Sequence, residues 1–134
     1  MSREVLARGA TLRQAFAEAM GSLLALVVDQ ATVDAREVRE VRAHGKSPEA
    51  LLAHWIGECS YVLDVEGFVC RSIDLAVFDA EPKTGAEPLR LHAFLHGEPF
   101  DPARHEPATI VPLDPEDISI TAVEGGYEIH FTVA

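Results

Sequence analysis

The chain has 134 residues, 48% of them hydrophobic, with 11 Lys and Arg against 22 Asp and Glu for a formal charge of −11. That length supports one ordinary domain, residues 1–134, able to bury roughly two thirds of the surface its unfolded chain exposes. The negative field repels phosphate backbones, which argues against direct nucleic-acid binding and favours basic protein partners.

Two cysteines, Cys59 and Cys70, make neither a disulfide framework nor a zinc signature, and each lies in an apolar element where a thiol behaves as a small hydrophobe. The opening MSREVLARGATLRQ lacks a cationic start followed by an apolar run. The longest apolar stretch, residues 23–28, falls far short of the roughly 20 residues that span a bilayer. A soluble, cytoplasmic protein without membrane contact is expected.

In chain order, residues 5–8 hold a short first strand before Gly9. Thr11 with Gln14 three residues on has the capping-box pattern of a helix start. Leu12, Phe16, Met20, Leu23, Leu24 and Val27 then recur at three- and four-residue steps, one face of an amphipathic helix. Residues 32–44 are charged around Val38 and Val41 and read as an exposed edge strand. Ser47 followed by Pro48 starts a second helix, because the serine oxygen takes an orphan amide and proline needs no partner at the first helical position. It runs to about Val65, with Leu51, Leu52, Trp55, Ile56, Cys59, Val62 and Leu63 at helical spacing, so Trp55 reads as core.

From Phe68 to Phe78, Val69, Ile73, Leu75 and Val77 are expected on one face, with Ser72 and Asp74 on the other. Residues 81–88 form a turn. Leu89, Leu91, Ala93 and Leu95 then alternate with Arg90, His92 and His96, so two strands pair as a hairpin. A second hairpin spans residues 118–133 around Glu124-Gly125-Gly126, where glycine permits the positive φ of a tight turn. The architecture implied is α+β, two helices packed on one face of a mostly antiparallel sheet.

The chemistry-bearing residues are sparse. His92 and His96 are four apart on a strand, about 13 Å, and cannot share a metal. They and His105 and His130 read as solvent-facing strand histidines. Glu58, Asp64, Glu66 and Asp101 are candidate carboxylates; a calcium or magnesium site needs several such oxygens converging. No Gly-x-Ser-x-Gly elbow or glycine-rich phosphate loop occurs, and neither cysteine has a cationic neighbour in sequence, so a catalytic role is not expected.

Two stretches carry a resemblance. Residues 51–69, LLAHWIGECSYVLDVEGFV, form a Trp-containing helix ending in Asp-x-Glu-Gly, and Gly97-Glu98-Pro99-Phe100-Asp101-Pro102-Ala103-Arg104-His105 is a proline-braced loop. With Arg8-Gly9-Ala10-Thr11-Leu12 and the closing hairpin, these resemble the archease family in order and spacing over nearly the whole chain. The resemblance implies an archease-like two-layer α+β sandwich. It also implies an accessory role, promoting guanylylation and multiple turnover of an RtcB-type RNA ligase in tRNA splicing or RNA repair. On that reading Glu58, Asp64, Glu66 and Asp101 are the acidic positions that face a basic ligase.

The sequence departs from the family pattern at the metal ligands. The family's Asp-His-Thr-Ala-Asp motif would fall before Met1, its C-terminal aspartate falls at Ala134, its lysine after a Thr-x-Val pattern falls at Pro112, and its aspartate before the tryptophan falls at His54. A misassigned start would explain the first departure alone, so a divergent member is the expectation. Glu58, Asp64 and the α-carboxylate of Ala134 are the remaining candidate ligands for a divalent cation. The competing reading is a non-catalytic binding module with the archease fold and no metal-dependent activity. A monomer or weak homodimer is expected, the latter through an open sheet edge.

Overall fold

The computed structural model describes residues 3–80 and 88–133. Two hydroxyls start the two helices. Thr11 Oγ1 accepts from the Gln14 amide at 3.1 Å and opens α1 (Leu12–Val27), and Ser47 Oγ accepts from the Ala50 amide at 3.1 Å and opens α2 (Pro48–Asp64). The reciprocal half of the capping pattern is displaced by one residue, because Gln14 Oε1 takes the amide of Ala10 at 3.0 Å.

The strands are β1 (Arg3–Gly9), β2 (Glu37–Gly45), β3 (Phe68–Asp79), β4 (Leu89–Pro99), β5 (Ser119–Val123) and β6 (Gly126–Val133). They form two three-stranded antiparallel sheets, β1-β6-β5 and β2-β4-β3. Both expected hairpins are present, and each accepts a sequence-distant strand, β1 or β2, on its open edge. The α+β class is as expected, with the strands shared between two sheets. The turn expected at residues 81–88 lies, but for Pro88, outside the described residues. β2 is an edge strand, as its charges imply, but begins only at Glu37. Before it, residues Gln30–Thr32 make a 3-10 turn capped by Asp29.

The core lies between the helices and the sheets. Phe16 of α1 stacks on Trp55 of α2 at 6.4 Å and meets Phe78 of β3 edge-on at 4.8 Å. Trp55, Phe16, Met20, Leu51, Leu52 and Ile56 have essentially no exposed surface, so the helical spacing did mark the core face. Losing one of these aromatics typically costs about 3–5 kcal/mol.

Two face assignments are corrected: Val69, paired with Glu98 before the first of two bulges in β3, lies on the face opposite Ile73 and Leu75, and Val77 is turned by the second. Bulges between Cys70 and Ser72 and between Leu75 and Val77 each add a residue to β3 against β4. Leu75 is buried as expected, but the second bulge turns Val77 outward, 46% exposed, and brings Phe78 onto the core. A one-residue slip in a period-two pattern exchanges faces.

The end of α2 is where the fold brings the sequence motifs together. Val65 caps the helix, its amide bonding Tyr61 O at 2.8 Å, and Gly67 turns the chain into β3 at a φ of 63°, a conformation few residues other than glycine adopt. The Phe100 amide then donates to Gly67 O at 2.6 Å, tying the 97–105 loop to that turn. Among the described residues no helix is long and apolar enough to cross a membrane.

Candidate functional site

The 97–105 loop is built around a carboxylate with no exposure. Glu98 alternates with the inward row Leu91, Ala93 and Leu95, so it leaves β4 on the face opposite the helices, where the loop folds back over it. Its oxygens accept from the Asp34 amide at 2.7 Å, Arg36 Nε at 3.0 Å and Arg104 Nη2 at 2.6 Å. The Asp34 amide, followed by the two guanidiniums, holds the Glu98 carboxyl down at about 2, against the penalty of burial.

His105 closes the same cluster. The Asp101 amide donates to His105 Nδ1 at 2.9 Å, so the ring proton sits on Nε2, which faces Thr32 O at 3.1 Å and Glu98 Oε2 at 3.2 Å. His105 is buried and does not face solvent as expected, because the loop wraps its ring over β4. Asp101 turns the loop, its Oδ1 accepting from the Ala103 amide at 3.0 Å. Gly97 is required by a close approach: a Cβ there would lie 1.9 Å from Val69 O on the paired strand. The charged and ring groups of Glu98, Arg104 and His105 thus all have partners inside the molecule.

The end of α2 differs. Glu58 Oε1 lies 3.2 Å from His54 Nε2, and Glu66 lies 3.5 Å from Arg39 Nε. Asp64 is exposed and pairs with no Lys or Arg among the described residues. Its neighbour Ser60 Oγ, 3.4 Å away, is nearer to Ile110 O at 3.0 Å and has one proton to give. Tyr61 and Val65 of the same helix end are exposed, as is Phe100, whose amide is tied to Gly67. The structure therefore leaves Asp64 and Glu66 at the end of α2, with Glu58 more than a turn earlier and paired back to His54, and with Asp101 following the Phe100 that bonds to the adjoining turn. It commits the Asp101 carboxylate to the loop.

Sequence reasoning missed Glu98, Asp34, Arg36 and Arg104 as one cluster. The available signal was an acid–base pair, Glu98 and Arg104, six residues apart inside a proline-braced loop. It also missed Tyr61 and Val65, which stand off the buried stripe of α2 by one helical turn from each other.

The resemblance puts the family's metal ligands outside the described residues, and the described segments next to them are the start of β1 and the end of β6. β1 and β6 pair antiparallel with Arg3 opposite Val133, so the start of one strand and the end of the other lie side by side. There a cavity of about 40 Å³ is lined by Leu23, Val27, Thr109, Ile110 and Val133 together with Arg3, whose Nη1 donates to Leu26 O at 3.0 Å. A guanidinium and apolar side chains do not fit a calcium or magnesium ion, which needs converging oxygens. Among the described residues no group of three or more His, Cys, Asp or Glu gathers to hold a metal. Ala134 lies outside the described residues. Cys59 and Cys70 are buried, which pushes both thiols up, Cys70 to about 12, and so disfavours the thiolate form.

The family model described as Archease protein family (MTH1598/TM1083) matches residues 4–133. Protein archease of Pyrococcus abyssi is 32% identical over 99 residues, 74% of this chain and 66% of that protein. Protein archease of Aeropyrum pernix is 30% identical over 130 residues, 96% of this chain and 88% of that protein. The match to the Pyrococcus protein thus spans just under two thirds of its length. The solution structure of Methanobacterium thermoautotrophicum protein 1598 is similar in fold, with a TM-score of 0.67 at 18% identity, covering 98% of this chain and 89% of that one.

Proposed function

This chain belongs to the archease family, and from that premise we propose that it is a cytoplasmic accessory protein that promotes guanylylation and multiple turnover of an RtcB-type RNA ligase, in tRNA splicing or RNA repair. The family match across residues 4–133 is the observation that carries this reading. The carboxylates Glu58, Asp64 and Glu66 at the end of α2, with Asp101 nearby, are the side that meets the ligase. In a chain of charge −11, RNA enters through the partner and not by direct contact. The test is RNA ligation with limiting ligase, GTP and divalent metal, scored as product formed per ligase molecule. Product well above one per ligase only when this protein is added is the expected result; equal product with and without it would end the reading.

A second reading is favoured by the Arg3 cavity: a binding module that keeps the archease fold and works without a metal of its own. Calcium and magnesium titrations separate the two. A cation-dependent rise in Tm would contradict the second reading, and unchanged Tm is its expected result.

A further inference from the structure

Gly57 lies in the interior of α2, where glycine is a poorer helix former than alanine. Its φ is not positive, and a Cβ built there meets nothing within 4 Å, so neither a turn nor an internal contact requires glycine. The same helical row continues through Tyr61, 54% exposed, to Val65, 65% exposed, at steps of four. Just beyond the helix, Phe100, 42% exposed, is held to Gly67. Glu58, Asp64 and Glu66 flank the row, and the last turn of α2 has no basic residue, so the negative end of the helix dipole adds to their field.

We infer that this strip, Gly57–Tyr61–Val65 with Phe100, is the docking surface for a segment of the ligase that carries an apolar side chain flanked by Lys or Arg. The bare backbone at Gly57 admits that segment closely, Tyr61, Val65 and Phe100 bury its apolar side chain, and the carboxylates pair with its cations. Charge complementarity selects this occupant: the strip is apolar at its centre, and its rim carries Asp64 with no basic partner among the described residues, beside Glu58 and Glu66 in exposed pairs with His54 and Arg39 that a ligase cation can replace. α1 provides the contrast. Gly21 also meets nothing within 4 Å, but its row is Ala17, Gly21 and Ala25, with no large exposed apolar group.

The inference rests on the ligase reading, and one experiment separates their failures. Binding of the full chain to the RtcB-type ligase is measured at low and high salt for the unaltered protein and for Val65→Lys, Tyr61→Ala, Gly57→Ala, Asp64→Asn and Gly21→Ala, with Tm recorded for each. Val65→Lys and Tyr61→Ala should weaken binding at least about fivefold at unchanged Tm. Gly57→Ala should weaken binding while raising Tm, whereas Gly21→Ala should raise Tm and leave binding intact. Asp64→Asn should flatten the salt dependence. If the unaltered chain binds and all the strip variants bind equally well, the strip is wrong and the ligase reading stands. If the unaltered chain does not bind, the ligase reading falls and this occupant with it.

Discussion

Glu98 and Asp64 are both carboxylates in the two sequence stretches that stand out most, yet the fold treats them oppositely. Glu98 has no exposed surface and is met by an amide and two guanidiniums, while Asp64 is exposed and, among the described residues, has only a hydroxyl at 3.4 Å whose proton is better placed elsewhere. A buried charge is tolerable only when its partners are all present, so the 97–105 loop has its polar groups committed to holding itself together. At the end of α2, Glu58 and Glu66 have exposed partners in His54 and Arg39, and Asp64 is left available. A distinctive motif can thus mark either a self-contained brace or a surface offered to a partner, and partner counting distinguishes them.

The largest test of this contrast falls on the loop. Glu98→Gln leaves Arg36 and Arg104 without their buried partner and should lower Tm by on the order of 10 °C in a melting experiment. Gly97→Ala drives a methyl into Val69 O on the paired strand and should cost about 3 kcal/mol in denaturant unfolding. Acid should act through the same group. The Glu98 carboxyl is lower in the folded chain, about 2, than its ordinary value of 4.5, so the stability it contributes is present above 4.5 and is lost as pH falls toward about 2. Glu98→Gln should lack that part of the acid-unfolding profile; an unchanged profile would show that the loop is not held by this carboxylate.

At α2 the expected stability effects are small and opposite in sign. Gly57→Ala should stabilise by about 0.5–1 kcal/mol, since among the described residues a Cβ there meets nothing within 4 Å. Asp64→Asn should change stability by less than about 0.5 kcal/mol, as surface substitutions away from such clusters do. A large loss from Asp64→Asn would mean that its carboxylate is structural after all and would erase the contrast with Glu98.

Much of the fold was legible because its determinants are local. The Thr11 and Ser47 caps, the helical spacing around Phe16 and Trp55, and the alternation of Leu91, Ala93 and Leu95 each act within a few residues. Val77 was misplaced because a bulge changes register without changing composition, so alternation read across it reports the wrong face. The Glu98 cluster was hidden for a different reason: Asp34 and Arg36 come from some sixty residues away in the chain. His105 looked solvent-facing because nothing local announces that a loop will fold over its own strand. The carboxylates of the candidate surface were visible in the sequence, but Tyr61 and Val65 between them gained meaning only once the buried face of α2 was fixed.

The most direct test of the whole account is amide hydrogen exchange of this protein alone and with an RtcB-type ligase. The loop from Gly97 to His105 should be protected in both states, and new protection should appear over residues 54–67 only when the ligase is present. New protection confined to the loop, or to the paired ends of β1 and β6, with none at α2, would contradict it.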